Sequence, residues 1–245
     1  MAAPLPRLDP DSVEFPDPAT ALLNPDGLLA YGGDLGPARL LSAYRQGIFP
    51  WYSEDEPLLW WSPDPRMVLF PKEFHCSRSL RKLLLGTRFR VTTDQAFHDV
   101  VVGCAQPRTE DSGTWITGQM VAAYCTLHNL GYAHSLEVWD DKELVGGVYG
   151  IALGKVFYGE SMFSKVTNAS KTAMAWLVAL LPHYGFTLID CQLHNPHLAS
   201  LGARLIPRVE FRQYLTTERI PSAPDWPVEL PETYRYLTAL PNSTS

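Results

Sequence analysis

Glu160 is the one charged residue in the apolar and aromatic stretch FYGESMF, residues 157–163. If this stretch is a strand, alternation places Glu160 on one face with Tyr158 and Met162, and Phe157 on the other face. A carboxylate among large apolar side chains has a perturbed pKa, so it could bind a cation or exchange a proton. The pattern alone supports equally well an acid at a strand end whose carboxylate reaches water.

Asp190 is a second acid in apolar surroundings, within LIDCQ, residues 188–192. It closes a buried-strand pattern, and strand ends beside helix N-termini are common places for functional sites. Gln192 follows on the same face, so the Asp190 carboxylate could orient its amide. A turn-capping role for Asp190 fits the spacing as well. Two acids and a glutamine among aromatic residues together favour a functional site.

A possible zinc motif follows directly. Cys191, His194 and His197 form a C-x-x-H-x-x-H pattern. A structural zinc site takes four ligands, no fourth ligand is evident, and Pro196 interrupts helical spacing. We favour structural or surface histidines and predict no metal. The sequence contains no G-x-G-x-x-G, G-x-x-x-x-G-K-[ST] or G-x-S-x-G motif, so we predict neither a nucleotide cofactor nor a serine nucleophile.

Basic residues are concentrated in residues 74–93, which contain no acid. Arg78, Arg81 and Lys82 share one face of a predicted helix, and Lys171 could extend the patch. A solvated helix face explains this cluster by itself. The functional interpretation is a surface for a nucleic-acid backbone on an otherwise acidic protein.

The bulk composition limits the class of protein. The chain has 245 residues, a net charge of −6 and 46% hydrophobic residues, which suffices for a substantial core. Its four cysteines form no C-x-x-C pair, so we expect reduced thiols. The N-terminus has no apolar signal segment, and the longest apolar run is roughly ten residues, whereas a membrane span needs about 20. We therefore expect a soluble cytoplasmic protein.

The elements that must position these residues fall into two predicted domains. Residues 1–65 are rich in proline, glycine and tryptophan and contain one readable helix, which begins at Pro37 and stops at Gly47. This segment predicts a small N-terminal α/β domain. Regular helix and strand patterns begin afterwards, so residues 66–245 are predicted to form the second domain.

The second domain has a recognisable order of elements. Helices come first, then an antiparallel meander with turns at residues 140–142 and 154–155, then a helix–strand–helix unit. Helix N-caps are predicted at Ser77, Asp94 and Thr117. This order predicts an α+β fold with a mixed sheet.

Several segments together resemble the leucyl/phenylalanyl-tRNA–protein transferase family. They occur in one order between residues 15 and 220 and touch both domains: GGDLGPARLLSAYRQGIFPWYS, WWSPDPR, GTWITG, HSLEVWDDKELVGGVYG, GESMFS, NASKTA, LIDCQ and ASLGA. The resemblance implies an enzyme that moves leucine or phenylalanine, and also methionine, from aminoacyl-tRNA to the N-terminal Arg or Lys of an acceptor protein. That change marks the acceptor for degradation by the N-degron pathway. No ATP, metal or coenzyme A is implied.

The resemblance also implies an architecture. The catalytic domain of the family resembles the N-acetyltransferase (acyl-CoA acyltransferase) fold, and a smaller N-terminal domain packs beside it. We expect the same arrangement here, and a monomer is the default state.

Roles for individual residues follow from the resemblance. Glu160, Asp190 and Gln192 are implied to hold the acceptor amine and assist the transfer, and Trp51 and Trp115 to contact the terminal adenosine and aminoacyl end of the tRNA. The amino-acid pocket is implied to be lined by Val148, Phe157, Met162, Leu177, Leu181 and Ile189. In that pocket, Val148 replaces a methionine of the family pattern, and Leu177 and Leu181 replace phenylalanines, so it remains apolar.

The predicted chemistry needs no further energy source, because the aminoacyl ester is already activated. We expect Asp190 to polarise Gln192, which orients the attacking amine, and Glu160 to hold the cationic acceptor end. Two alternatives stay open. One is an acyl-CoA N-acyltransferase, although its [QR]-x-x-G-x-[GA] loop is absent from the sequence. The other is a tRNA- or peptide-binding module without turnover.

Overall fold

The computed structural model describes residues 4–86, 88–106 and 116–215. Trp115 and residues 216–245 lie outside the described residues. Two sheets form the framework, one of four strands and one of seven. Among the described residues, no helix combines the length and the apolar character that crossing a membrane requires.

The four-stranded sheet lies at the N-terminal end of the chain, with the strand order β1-β2-β4-β3. Its elements are β1 (Arg7–Leu8), β2 (Leu28–Gly32), α1 (Pro37–Arg45), β3 (Phe49–Pro50) and β4 (Leu59–Trp61). The predicted helix is confirmed: Pro37 occupies the first turn of α1, and Gly47 adopts a φ of +74°, which favours glycine.

The seven-stranded sheet begins with the strand that follows. Its strands are β5 (Arg66–Leu69), β6 (Arg90–Thr93), β7 (Ala133–Asp140), β8 (Glu143–Leu153), β9 (Val156–Ser164), β10 (Leu188–Gln192) and β11 (Arg204–Ile206), in the order β11-β5-β10-β9-β8-β7-β6. Strands β9 and β10 run parallel, and all the other neighbours in this sheet are antiparallel. The predicted meander and mixed sheet of an α+β fold are therefore confirmed.

The remaining helices cover the two faces of this sheet. They are α2 (Arg78–Leu84), α3 (Phe97–Ala105), α4 (Gly118–Asn129), α5 (Ala169–Leu180), α6 (Pro196–Ser200) and α7 (Arg208–Phe211). The side chains of Ser77 and Thr117 accept hydrogen bonds from the first turns of α2 and α4, which confirms both predicted caps.

The predicted cap at Asp94 is wrong. Helix α3 starts at Phe97 after Ala96, without a side-chain cap. Asp94 has a φ of +55°, and its carboxylate accepts the Ser135 backbone N–H at 2.8 Å and lies 2.7 Å from His134 Nδ1. The carboxylate therefore binds strand β7 and not the N-terminus of α3.

The core forms two clusters, one on each face of the large sheet. On one face, α1, α3 and α4 pack around Tyr44, Tyr124 and Tyr158. On the other, α2 and α5 pack around Phe157 and Leu177. Burying each such side chain stabilises the fold by roughly 1.5–3 kcal/mol. The N-terminal part of the chain thus packs on the same face as Tyr158.

Candidate active site

A β-bulge in strand β9 positions Glu160. Gly150 of β8 pairs with Gly159, and Tyr149 pairs with Ser161, so Glu160 is the extra residue between two ladder positions. A bulge re-aims its side chain and reverses the alternation beyond it. Glu160 faces Tyr44 and Tyr124, the side that alternation from Tyr158 predicts, whereas Met162, beyond the bulge, packs on the opposite face.

The reversal corrects one expectation from the sequence. Strict alternation predicts Met162 on the same face as Tyr158, with Phe157 on the other face. In the structure, Met162 packs against the cluster that contains Phe157, and Tyr158 belongs to the other cluster. The reason is the extra residue at Glu160, which a period of two cannot anticipate.

Glu160 is a buried carboxylate with several hydrogen-bond donors. Glu160 is only 6% exposed, so the alternative of a strand-end acid whose carboxylate reaches water does not apply. Tyr44 Oη donates to Oε1 at 2.8 Å, Tyr124 Oη donates to Oε2 at 2.7 Å, and Gln192 Nε2 donates to Oε1 at 3.0 Å. Two of these three donors come from helices that the sequence analysis did not connect with the site.

The pKa of Glu160 is raised to about 7. Burial is the largest cause, because it penalises the charged form. The hydrogen bonds from Tyr124 and Tyr44 oppose this by stabilising the carboxylate, while Asp190 raises the pKa and Arg66 lowers it. A carboxyl group with this pKa can both accept and release a proton near neutral pH.

Asp190 forms a buried ion pair with Arg66. The guanidinium Nε donates to Oδ1 at 2.8 Å and Nη2 donates to Oδ2 at 2.7 Å, and both side chains are almost completely buried. The guanidinium also lies 4.8 Å from the ring centroids of Phe49 and Phe211. The sequence analysis did not select Arg66. Its one signal in the sequence was its position as the last residue of the WWSPDPR segment.

The Asp190 carboxylate contacts Gln192 through the backbone, not through the amide. Oδ1 accepts the Gln192 backbone N–H at 2.9 Å, while the Gln192 amide nitrogen donates to Glu160. Cys191 is the extra residue of a second irregularity in β10, and Gln192 has a φ of +61°. The expectation that Asp190 polarises the Gln192 amide is therefore corrected, since Asp190 holds the turn that aims it.

A cavity of about 520 Å³ opens between β9 and β10 beside these groups. The two strands pair in parallel only as far as Asp190 opposite Tyr158, and both depart from regular pairing beyond that point. Of the predicted site residues, the cavity is lined by Glu160, Asp190, Gln192, Trp51, Val148, Met162, Leu177 and Ile189. It thus joins an apolar wall with a polar group.

Two predicted pocket residues do not reach this cavity. Phe157 and Leu181 are completely buried in the core and do not line it. Phe157 precedes the bulge, and Leu181 begins the turn after α5, so neither side chain extends as far as the opening. Met174 and Leu198 line the cavity instead and were not predicted. Trp115 lies outside the described residues.

The possible zinc site does not form. Within residues 4–86, 88–106 and 116–215, no group of three or more His, Cys, Asp or Glu side chains could hold a metal ion. Burial raises the pKa of the Cys191 thiol, which disfavours the thiolate that zinc needs.

The basic residues lie on α2 and α5. Arg78 and Lys82 are exposed on α2, and Arg81 is partly exposed. Helix α2 packs against α5, which carries Lys171 in its first turn and Met174 three residues later in the cavity wall. Because residues three apart share a helix face, the basic surface and the cavity are connected through α5.

Two family models match the chain. The model of the leucyl/phenylalanyl-tRNA protein transferase N-terminal domain matches residues 33–64. The model described as leucyl/phenylalanyl-tRNA protein transferase matches residues 68–216. Together they include β3 and β4 of the first sheet, nearly all of the second sheet and every residue that lines the cavity.

Individual proteins of the same family name are similar to this chain over most of its length. The leucyl/phenylalanyl-tRNA–protein transferase of Nitrosospira multiformis is 58% identical over 211 residues, covering 86% of this chain and 90% of that protein. The protein of the same name from Stutzerimonas stutzeri is 57% identical over 217 residues, covering 88% and 96%. Among solved structures, a GCN5-related N-acetyltransferase from Kribbella flavida aligns with a TM-score of 0.35 and 10% identity, covering 70% of this chain and 61% of that one.

Proposed function

The chain belongs to the leucyl/phenylalanyl-tRNA–protein transferase family, and from this membership we propose how its cavity performs the transfer. It is an aminoacyltransferase that moves an aminoacyl group from aminoacyl-tRNA to a protein. The observation that carries the assignment of the site is one cavity that combines an apolar wall with the Glu160–Gln192 hydrogen bond. An aminoacyl ester and an attacking amine need this combination.

The apolar wall suits the side chain of the transferred amino acid. Val148, Met162, Met174, Leu177 and Ile189 all line it. An apolar pocket distinguishes such side chains by only about 1–3 kcal/mol per methylene. Leucine, phenylalanine and methionine are therefore accepted, and charged side chains are rejected because their desolvation is not compensated.

The acceptor is the α-amino group of an N-terminal Arg or Lys. The cavity offers the Glu160 carboxyl and the carbonyl oxygen of Gln192, whose amide nitrogen is already engaged by Glu160. That oxygen can accept an amine N–H and orient the nitrogen towards the ester carbonyl. The Arg66–Asp190 pair keeps the Gln192 turn in place through the backbone bond at 2.9 Å.

The tRNA is held through its phosphates and its terminal adenosine. Arg78, Arg81, Lys82 and Lys171 supply the positive charge, and phosphate contacts position a nucleic acid without reading its sequence. This suits an enzyme that accepts isoacceptors of different sequence. Trp51 is 38% exposed at the cavity and packs edge-on against Trp61, so one ring face is available for stacking.

The biological setting follows from the substrates. Transfer to an N-terminal Arg or Lys marks the acceptor for N-degron degradation, and charged tRNA places the reaction in the cytoplasm. A monomer suffices, because Glu160, Asp190, Gln192 and their partners all come from one chain. We place the domain boundary at residues 65 and 66, since the first sheet ends at Trp61 and β5 starts at Arg66.

To test this proposal, the protein is incubated with radiolabelled leucyl-tRNA and a peptide with N-terminal Arg, without ATP or coenzyme A, and the label on the peptide is measured. We expect label on the peptide, none on a matched peptide with N-terminal Glu, and at least a tenfold loss in Gln192→Ala. Gln46→Ala is the control, because Gln46 is also half-buried, follows the last residue of α1, and bonds through its side chain to Ser42 of that helix. Bound tRNA that keeps its label would instead indicate a binding module.

A further inference from the structure

Four oxygen atoms of Glu160, Tyr44 and Tyr124 form a closed ring. Tyr44 Oη lies 2.8 Å from Tyr124 Oη and 2.8 Å from Glu160 Oε1, and Tyr124 Oη lies 2.7 Å from Glu160 Oε2. The two carboxyl oxygens close the ring through their shared carbon. All three distances are those of O–H···O hydrogen bonds.

The hydrogen atoms of this ring can be counted. With Glu160 ionised, the ring holds only the two tyrosine hydroxyl hydrogens for its three contacts, so one pair of oxygens has no hydrogen between them. With Glu160 protonated, three hydrogens fill three contacts. Oε2–H then donates to Tyr124, Tyr124 donates to Tyr44, and Tyr44 donates to Oε1. The ring therefore has a place for one additional proton.

The surroundings keep that proton exchangeable near neutral pH. The Glu160 pKa of about 7 results first from burial, which the tyrosine hydrogen bonds oppose. The polar and charged groups that face Glu160 or its ring are Tyr44 from α1, Tyr124 from α4, Tyr149 from β8, Asp190 and Gln192 from β10, and Arg66 from β5. Arg66 and Asp190 pair with each other, so among the described residues no unpaired charge fixes the protonation state of Glu160.

The ring also has access to substrate on one side only. Glu160 lines the cavity, whereas Tyr44 and Tyr124 are buried behind it and belong to the core. We propose that the Glu160–Tyr44–Tyr124 ring is the proton acceptor of the transfer, with Glu160 as the catalytic base and the two tyrosines as positioning residues. This inference rests on the proposed function and adds the group that deprotonates the acceptor.

The step balances as follows. The acceptor enters as an α-ammonium, because its pKa lies near 8. The ionised Glu160 takes one proton and completes the ring. The neutral nitrogen then attacks the ester carbon, the new C–N bond forms, and the C–O bond to the tRNA breaks. A second nitrogen-bound proton goes to the departing oxygen, the third remains on the amide, and Glu160 later returns its proton to solvent.

The first experiment needs no substrate. Infrared difference spectra of the free protein between pH 5 and pH 9 are expected to show a protonated carboxylic acid band that disappears near pH 7 and is absent in Glu160→Gln. A carboxyl group fully ionised above pH 5 would overturn the proposal, even if the protein is an active transferase. If the wild-type protein shows this carboxylic acid band but transfers no amino acid, the result would instead count against the proposed function alone.

The second experiment follows transfer as a function of pH in Tyr44→Phe, Tyr124→Phe and the double variant. Each single change is expected to lower kcat at pH 7 about tenfold and to move the rising limb upward by roughly half a pH unit or more. The bond each hydroxyl donates to the carboxylate is stronger than its bonds to the neutral acid. Because either change opens the ring, the double variant should lose little more than a single one.

Tyr149→Phe is the matched control. Tyr149 is buried beside Tyr124 with ring centroids 5.4 Å apart, and within the described part of the chain its hydroxyl has no hydrogen-bond partner. We expect this variant to keep the wild-type pH profile. Additive effects of the two ring tyrosines, or an unmoved limb in both single variants, would show that they serve only as core residues.

Discussion

At the scale of single residues, Arg66 determines whether Asp190 can be buried. An unpaired carboxylate in the core is costly, and the guanidinium compensates it with two hydrogen bonds of 2.8 and 2.7 Å. Phe49 and Phe211 add cation–π contacts on the same guanidinium. Residues far apart in the sequence thus meet at one ion pair, which in turn holds the turn of Gln192.

Arg66→Ala is expected to lower the free energy of unfolding by about 3–5 kcal/mol, because it leaves the Asp190 carboxylate buried without a partner. Urea denaturation measures this. Arg204→Ala is the matched control: Arg204 also pairs with a carboxylate, that of Glu73, and lies over Phe70, but it is 46% exposed. A surface pair contributes about 0–1 kcal/mol, so a similar loss in both variants would contradict this account of Arg66.

At the scale of elements, strand β9 has its bulge at Glu160, whose carboxylate binds Tyr44 and Tyr124. Gly150 permits this bulge, since a Cβ there would lie 2.1 Å from the Tyr158 carbonyl oxygen and 2.6 Å from Phe157 Cε1. The backbone oxygen cannot move away without disturbing the ladder. Strand pairing on either side of this glycine therefore fixes where the Glu160 carboxyl lies.

Gly150→Ala is expected to lower the free energy of unfolding by at least 1–3 kcal/mol and to reduce transfer at least tenfold. Denaturation and the transfer assay measure both effects. Gly118→Ala provides the comparison, because in the described part of the chain a Cβ at this position in the first turn of α4 would meet no atom within 4 Å outside its own helix and chain neighbours. Equal behaviour of the two variants would show that the bulge does not require glycine.

The basic face of α2 is the second feature at this scale. Arg78→Ala combined with Lys82→Ala should weaken tRNA binding and reduce the slope of log affinity against log salt by about one to two. Filter binding at several salt concentrations tests this. Lys155→Ala, an exposed lysine in the β8–β9 turn, should leave the slope unchanged. An unchanged slope in the α2 variant would place the tRNA on another surface.

At the scale of the whole molecule, the site joins the two parts of the chain. Tyr44 of α1 bonds Glu160 of the large sheet, and the Tyr158 hydroxyl donates to the Tyr44 backbone oxygen at 2.7 Å. The N-terminal part thus supplies Tyr44, a hydrogen-bond donor to Glu160, and also Trp51, which lines the cavity. The proposed proton acceptor therefore also joins the two parts of the fold, so stability and the proposed chemistry depend on the same residue, Glu160.

The raised pKa of Glu160 makes stability depend on pH. Between its ordinary value of 4.5 and the folded value of about 7, the folded protein keeps a proton that the unfolded chain releases. The free energy of unfolding should fall as pH rises through this window, by on the order of 3 kcal/mol. Glu160→Gln should lack this component in denaturation at several pH values, whereas Glu73→Gln, an exposed acid, should retain it. Parallel curves for wild type and Glu160→Gln would contradict the link.

The sequence by itself determined the helices, the meander and its turns, and the presence of acids in apolar strands, because these depend on local periodicity, caps and glycines. It also carried the family resemblance. Only the tertiary structure decided the partners: the bulge at Glu160, the tyrosines from two helices, Arg66 opposite Asp190, and the exclusion of Phe157 and Leu181 from the cavity. Such contacts join residues up to 124 positions apart, and their spacing along the chain has no period from which they could be predicted.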